Sequence, residues 1–484
     1  MSIELARAGG VIGAFGLALL VVATRRDLRV LGLGGWVVGC AILAGYLAPG
    51  GHHRLLAAAA VLGVLAAVAG AAIVLRVPWL LAVGTLACVP ARIPVHVGST
   101  QANLLLPLYA VVAVAAVALA WELYGEEPRS RELGPLAWPV AAFVAWEGLS
   151  IAWSKDVREG AIELLFFVLP FGLLAVVLAR LPWSRAWATF LYVQLAAMAL
   201  VFAIIGIVQY ETRQIFWNPK VVVDNAYAPS GWFYRVNSVF YDPSIYGRFL
   251  VIAILVSLVV VLRRRADPLW AVAAALTIAI TWAGLLPSFS QSSYVALMAG
   301  VIVAAVVVWR WRSLALIAAM VIALLLAAAA SPQIRHRIDG KSSSSLSSVT
   351  SGRSKLVSKG ARLAVHHPLI GVGVGGFRRA YADLTGLRGK EPKAAASHDT
   401  PITVGAETGV PGLALLAWLV IVAFTVPIRG NPVRGPTGKA RLVLGLALIA
   451  IVVHSLFYDA LFEDPLFWGA LALSAVAVRA EAAA

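Results

Sequence analysis

Apolar runs of roughly 17 to 25 residues recur along the whole chain, separated by short polar stretches that are mostly basic. They fall at about 9–24, 29–48, 55–75, 77–90, 103–121, 134–153, 160–181, 185–209, 244–262, 269–287, 291–309, 313–330, 401–427, 441–457 and 465–479. Wound as helices, most are long enough to cross about 30 Å of hydrocarbon. A helix satisfies its own backbone polar groups, which lipid cannot do. The pattern therefore predicts an all-α polytopic membrane protein with roughly 12 to 15 transmembrane helices. The 77–90 run is short and bounded by Pro78 and Pro90, so it reads as a re-entrant candidate.

Composition agrees with that reading. Of 484 residues, 61% are hydrophobic and 13% charged, about half the charged fraction of a soluble chain. Cys40 and Cys88 both lie inside apolar runs and offer no disulfide framework, zinc spacing or CxxC pair. No cleavable leader is expected: the first run, Gly9 to Ala23, lacks a basic flank and reads as the first helix.

Charge sets the orientation. Basic residues crowd into alternate short loops, "TRRDLR" (24–29), "EPRSRE" (127–132), "RLPWSR" (180–185), "RRR" (263–265), "RWR" (310–312) and "RGNPVRGPTGKAR" (429–441). Those loops, with Arg76 and Arg479, hold eighteen of the 39 Lys and Arg, and the positive-inside rule makes them cytoplasmic. Two longer segments then fall outside the membrane, 210–243 and a large loop from about 331 to 400. The large loop carries twelve Lys and Arg against four acids. Long loops cross despite such charge, and an external basic surface is either a solvated face near lipid head groups or the seat of an anionic partner. Four segments follow: N-terminal helices 1–209, core helices 210–330 with the outer loop 210–243, the basic loop 331–400, and C-terminal helices 401–484.

Within the large loop, 341–355 begins as flexible low-complexity sequence, and 356–364 has the spacing of a short amphipathic helix on the membrane. "HHPLIGVGVGGF" (366–377) predicts close backbone approach, because Gly371, Gly373, Gly375 and Gly376 tolerate positive φ. No GK[ST] follows, so it is not a phosphate-binding P-loop.

Chemistry concentrates at the edges of these runs. In "SHDTPITVGAETGVPGL" (397–413), Pro401 suits the first turn of a helix, with Asp399 or Thr400 as its cap. His398 then sits at the positive end of that helix, where a neutral ring able to accept a proton is favoured. Glu407 follows just before Gly409, Pro411 and Gly412, which should break the helix; broken helices at membrane depth normally line a cavity. The bland alternative is that His398 merely caps a turn. In "YRVNSVFYDPSIYGRFL" (234–250), Arg235 lies in the loop and Arg248 about one turn inside the span. Asp242 is either the partner of Arg248 or an N-cap. Arg353 and Lys355 in "TSGRSK" pair a fork-shaped donor with a point charge, a combination suited to a diphosphate or to an ordinary basic surface. His454 reads as a packed core histidine, and Asp459, Glu463 and Asp464 of "FYDALFEDP" as structural or electrostatic.

The Arg before "F-x-D-P", the "SGR" followed by "HPLIGVGVGGF", and "SHDTPITVGAETGVPGL" opening a span occur in that order on one outer face. Together they resemble the O-antigen ligase superfamily of polytopic glycosyltransferases, over roughly Gln209 to Leu416. The resemblance implies a GT-C-like architecture in a bacterial plasma (inner) membrane, with the active site on the extracytoplasmic face. It implies metal-independent, inverting transfer, without cofactor, of a glycan from polyprenyl (undecaprenyl) diphosphate to an acceptor hydroxyl. His398 would be the general base, and Arg235 and Arg353 would hold the diphosphate. Arg248 and Lys355 would be secondary contacts, and Glu407 would position His398 or the acceptor. Family members commonly have His-Asn where this chain has His398–Asp399. An Arg in the family's S-x-S-R stretch is Gln291 here; Gln291 can hydrogen-bond a phosphate but cannot neutralise it. The expected partners are the lipid-linked glycan, a glycolipid, polysaccharide or protein acceptor, and membrane lipid, with no nucleic acid. A polymerase of the same superfamily is the near alternative. A flippase of lipid-linked glycans is the distant one, and it should place its ionisable residues at the midplane of paired broken helices.

Overall fold

The computed structural model of the protein describes residues 2–48, 53–97, 100–125, 132–214, 234–262, 267–310, 353–386, 397–429 and 437–483, with a few positions between 312 and 322. Among them, twelve helices are long and apolar enough to cross a membrane, from Ile3–Val22 to Pro465–Ala482. That number sits within the expected range. The span expected at 313–330 lies largely outside the described residues. His53–Val74 is a further apolar helix. The 77–90 run becomes Leu80–Cys88, about 14 Å long and too short to cross.

The all-α layer carries one short hairpin beside it. Ile93–Val97 pairs antiparallel with Thr100–Leu104, Ile93 opposite Leu104 and Val97 opposite Thr100. The polar positions of this segment interrupt the apolar pattern, and its alternation is too brief to stand out beside the spans. The membrane layer itself is all-α.

Hydropathy alone does not separate central from peripheral spans, but packing does. Val157–Leu178 and Pro243–Val261 are each 83% buried in the protein, against 28% for Arg185–Thr212, whose Phe190, Val201 and Ile204 face outward. The central 157–178 span has a local reason for its irregularity. Pro170 has no N–H to donate, and the preceding stretch, Leu164–Val168, widens into a π turn. The Phe166 carbonyl that Pro170 leaves unbonded accepts from the Tyr109 hydroxyl at 2.9 Å. The next carbonyl but two, that of Leu169, accepts from the Trp36 indole at 3.0 Å.

Ile3–Val22 and Arg26–Leu47 meet through glycines. A Cβ on Gly39 would fall 2.3 Å from the Gly13 Cα, so the two backbones touch as small residues allow in lipid.

At one end of the bundle several arginines are bound by the protein itself. The buried Glu132 carboxylate takes Arg29 and Arg180, each at 2.6 Å, and Arg180 also reaches Glu122 at 2.6 Å. Arg26 donates to the carbonyls of Leu123 and Tyr124 at 2.7 and 2.8 Å. Arg441 and Arg479 do the same for Arg429 and Ala179. These carbonyls close helix C-termini, where the macrodipole favours a cation.

Candidate functional site

The opposite end gathers helix N-termini. Pro243–Val261 is capped by Asp242, Gln291–Trp309 by Ser290, Thr400–Ile428 by Asp399 and Pro465–Ala482 by Asp464. Four converging N-termini make this end attractive to anions. The Asp399 side chain accepts from Ile402 N at 3.1 Å, and His398 just before it takes positive φ, +63°. That conformation is uncommon for a residue with a Cβ. His398 is half-buried.

Hydrogen bonds tie this entrance to the last helical hairpin. Thr400 and Thr403, on the first turn of the helix, donate to the two oxygens of Asp459 at 2.8 and 2.5 Å. Enclosure raises the Asp459 pKa to about 6, against the pull of the two threonine hydroxyls. Its neighbour Tyr458 lies 5.7 Å, ring to ring, from His454. His454 is fully buried, and its Nε2 meets Ser292 Oγ at 3.0 Å and the Ser244 carbonyl at 3.1 Å. The Ser244 hydroxyl in turn accepts from Arg235 at 3.2 Å, and Arg235 also donates to the Ser288 carbonyl at 3.1 Å. Two hydrogen-bonded groups, Arg235–Ser244–His454 and Asp459–Thr400/Thr403, are thus joined through the ring contact of His454 with Tyr458.

Arg235 makes no carboxylate pair among the described residues. Gln291 is exposed at the start of the helix that follows Ser288, on the same rim. Arg248 is different: it is buried and paired with Asp464 at 2.9 Å. Asp242 accepts from Ser244 N at 2.6 Å and so is the N-cap of the two open alternatives. Arg353 opens the helix Arg353–His366, with Lys355 in its first turn; the side chains of both lie outside the described set. That helix lies against the start of 400–428, since a Cβ on Gly360 would fall 2.8 Å from Ile402 Cγ2. Arg353 is about 10 Å further along its axis.

The glycine loop and the broken helix repair each other. Gly409 has non-helical φ 70° and ψ −169°, and Pro411 has no N–H for the Glu407 carbonyl. That carbonyl accepts from Gly373 N at 2.7 Å, while the Ala406 carbonyl accepts from Val372 N at 2.9 Å. Val410 N donates to Pro368 O at 2.8 Å, and the Trp146 indole reaches Thr408 O at 2.9 Å. Gly371, Gly373 and Gly375 take positive φ as expected. Gly376 does not: at φ −82° it is the N-cap of Phe377–Thr385. The Glu407 carboxylate accepts from Phe377 N at 2.9 Å, so its described bond runs to the loop.

Sequence reasoning passed over two carboxyls, the buried Glu147 and the half-buried Glu163, which lie within electrostatic range of Glu407 and Asp459. The signal was present: each is an acid inside an apolar run, which in a membrane protein marks a candidate functional position. Glu463 pairs with the buried Arg92 at 2.8 Å. Burial opposes the charge of Arg92, but Glu463, Tyr458 and Asp464 nearby together raise its pKa. Among the described residues, no three His, Cys, Asp or Glu side chains are placed to share a metal ion.

Twelve candidate spans among the described residues define a multi-pass membrane protein. Residues 276–417 match the family model described as O-antigen ligase. The match supports the O-antigen ligase superfamily, and with it a membrane glycosyltransferase of the ligase or polymerase type. A solved structure described as "Structural coordination of polymerization and crosslinking by a peptidoglycan synthase complex" aligns at 18% identity and a TM-score of 0.42. The alignment covers 72% of this chain and 98% of that one. No curated protein matches.

Proposed function

We propose that the protein transfers a glycan from a polyprenyl diphosphate, such as undecaprenyl diphosphate, to an acceptor hydroxyl at the extracytoplasmic rim of a bacterial inner membrane. In this reading His398 takes the proton from the acceptor hydroxyl. The oxygen attacks the anomeric carbon from the face opposite the diphosphate, the bond from that carbon to the diphosphate oxygen breaks, and the configuration inverts. The carrier diphosphate leaves with the bonding pair, its charge met by Arg235 and by Arg353. The four helix N-termini add to the same field. Lys355 is a secondary contact and Gln291 donates a neutral hydrogen bond, whereas Arg248, buried and paired with Asp464, supports the rim from within.

The observation that carries the reading is the run of contacts from Arg235 through Ser244 and His454, by a ring contact to Tyr458, and from Asp459 to Thr400. It ties a cation without a described carboxylate partner to the turn that follows His398. A transporter would need such groups midway along paired helices, whereas these sit where helices begin. The orientation is supported by the arginine-rich opposite end, which has the charge of a cytoplasmic face.

The test is transfer by purified protein in nanodiscs, given a polyprenyl-diphosphate glycan and candidate acceptors. Product from wild type and none from His398→Ala is the expected result. Equal turnover by the two removes the base, and loss of turnover on chelation removes the metal-free scheme. The face is tested separately. In a variant lacking Cys40 and Cys88, a cysteine replacing the exposed Leu384 should react with an impermeant maleimide on spheroplasts.

A further inference from the structure

Helix Arg185–Thr212 ends beside Arg235 in an unusual way. Arg213 closes it in the left-handed region, φ 59°, its N–H donating to the Gln209 carbonyl at 2.9 Å. The Arg213 guanidinium carbon lies over the Tyr210 ring, 4.3 Å from its centroid, and 5.3 Å from the centroid of Tyr234. Tyr234 is the residue immediately before Arg235. Arg213 is exposed, and among the described residues it has no carboxylate partner.

The two segments are stitched together by Gln209. Its side-chain amide donates to Asn237 Oδ1 at 2.8 Å, and its oxygen accepts from Ser238 N at 2.7 Å. Ser238 Oγ donates to the Phe202 carbonyl at 2.8 Å. The distance between Arg213 and Arg235 is thus set by a buried network rather than by two loose loops. Arg213 stacks on the residue next to Arg235, so the two cations belong to neighbouring positions of one stitched segment.

Stacking uses the faces of a guanidinium and leaves its N–H edge pointing outward. An arginine already oriented in this way binds a phosphate with less loss of rotamer entropy than a free one. We infer that Arg213 is a second anion-binding residue of the site, oriented by Tyr210, and that it takes the carrier phosphate that Arg235 does not hold. This inference rests on the lipid-diphosphate reading above. It adds a specificity: a site with two arginines should prefer a diphosphate carrier to a monophosphate one.

The experiment uses the full chain in phosphatidylcholine nanodiscs, with undecaprenyl diphosphate and undecaprenyl monophosphate as probes and binding read by titration. Wild type should bind the diphosphate about tenfold more tightly than the monophosphate. Arg213→Ala should lose most of that preference, with monophosphate affinity changed by less than about twofold. Arg213→Lys should recover only part, because an ammonium neither stacks nor forks. Tyr210→Leu should weaken diphosphate binding, and Tyr210→Phe, which keeps the ring, should restore it. Thermal midpoints without ligand should stay at the wild-type value, since Arg213 is exposed. Wild-type binding with an unchanged Arg213→Ala overturns this inference alone. Failure of wild type to bind either carrier overturns the lipid-diphosphate reading together with it.

Discussion

The two ends of the bundle use arginine in opposite ways. At one end Glu132 holds Arg29 and Arg180, and Arg26, Arg441 and Arg479 close helix C-termini through their carbonyls. Those arginines are structural, each held by a carboxylate or by carbonyls of the protein. At the other end the acids are spent as N-caps, as with Asp242 and Asp399. Arg248 and Arg92 are paired, but Arg213 and Arg235 have no described carboxylate. The same residue type therefore differs between the two ends in what remains for a ligand. A cationic loop becomes evidence of a binding site only after its internal partners have been counted.

The largest effect that could break this contrast is on turnover. His398→Ala should lower transfer by about 10²–10⁴-fold, the usual contribution of a positioned base, with the thermal midpoint unchanged; steady-state kinetics and a melting curve decide it. Next come the arginines themselves. Arg235→Ala should reduce kcat/KM for the lipid donor by about 10–100-fold with little loss of stability, because removing it strands no buried acid. Glu132→Gln should do the reverse. It leaves Arg29 and Arg180 buried with one fewer charge between them, and removing one partner of a buried pair costs about 3–5 kcal/mol, with KM untouched. A Glu132→Gln enzyme that is stable but slow would erase the distinction between the ends. A smaller effect is expected at the loop. A Cβ on Gly373 would fall 2.2 Å from the Ser154 Cα at a φ of +84°, so Gly373→Ala should cost about 1–3 kcal/mol. Faster hydrogen exchange over 371–377 and 406–410 is the expected readout.

Much of the site's local grammar was legible in the sequence, and little of its long-range wiring was. Asp399 as the cap, Pro401 in the first turn and the break at Gly409 follow from backbone rules acting over a few residues. The helix expected over 356–364 is there as Arg353–His366. Apolar periodicity does not say which face of a span meets which neighbour. The pairing of Arg248 with Asp464, far along the chain, was therefore invisible. The same holds for the repair of the Glu407 carbonyl by Gly373, since both the need and the donor could be read but not their meeting. The 93–104 hairpin and the π turn at 164–168 are short departures inside or beside apolar runs, and the repeating pattern swamps them. Glu147 and Glu163 were readable as acids in apolar runs, but only packing brings them near Glu407.

The smallest effect is also the most diagnostic of how the rim is assembled. Asp459 is partly buried, and its pKa rises from 3.8 to about 6, chiefly because enclosure disfavours its charge. Between those values the folded protein keeps a proton that the unfolded chain has released. Its contribution to stability is therefore fully present below pH 3.8, falls as pH rises to about 6, and is flat above. A shift of this size corresponds to about 3 kcal/mol at most, cut to about 1–2 by partial exposure to solvent. Asp459→Asn should remove this slope from the apparent thermal midpoint between pH 4 and pH 6, each of these being an approximate bound. Above pH 6 the wild-type carboxylate accepts from both Thr400 and Thr403, whereas an amide presents a single oxygen. The variant should then be no less stable at neutral pH, yet slower, because the turn behind His398 has lost one of its two anchors. A variant that keeps the wild-type slope would place the titrating group elsewhere among the carboxyls near that turn. One that keeps the wild-type rate would show that the His398 turn is held by its own cap alone.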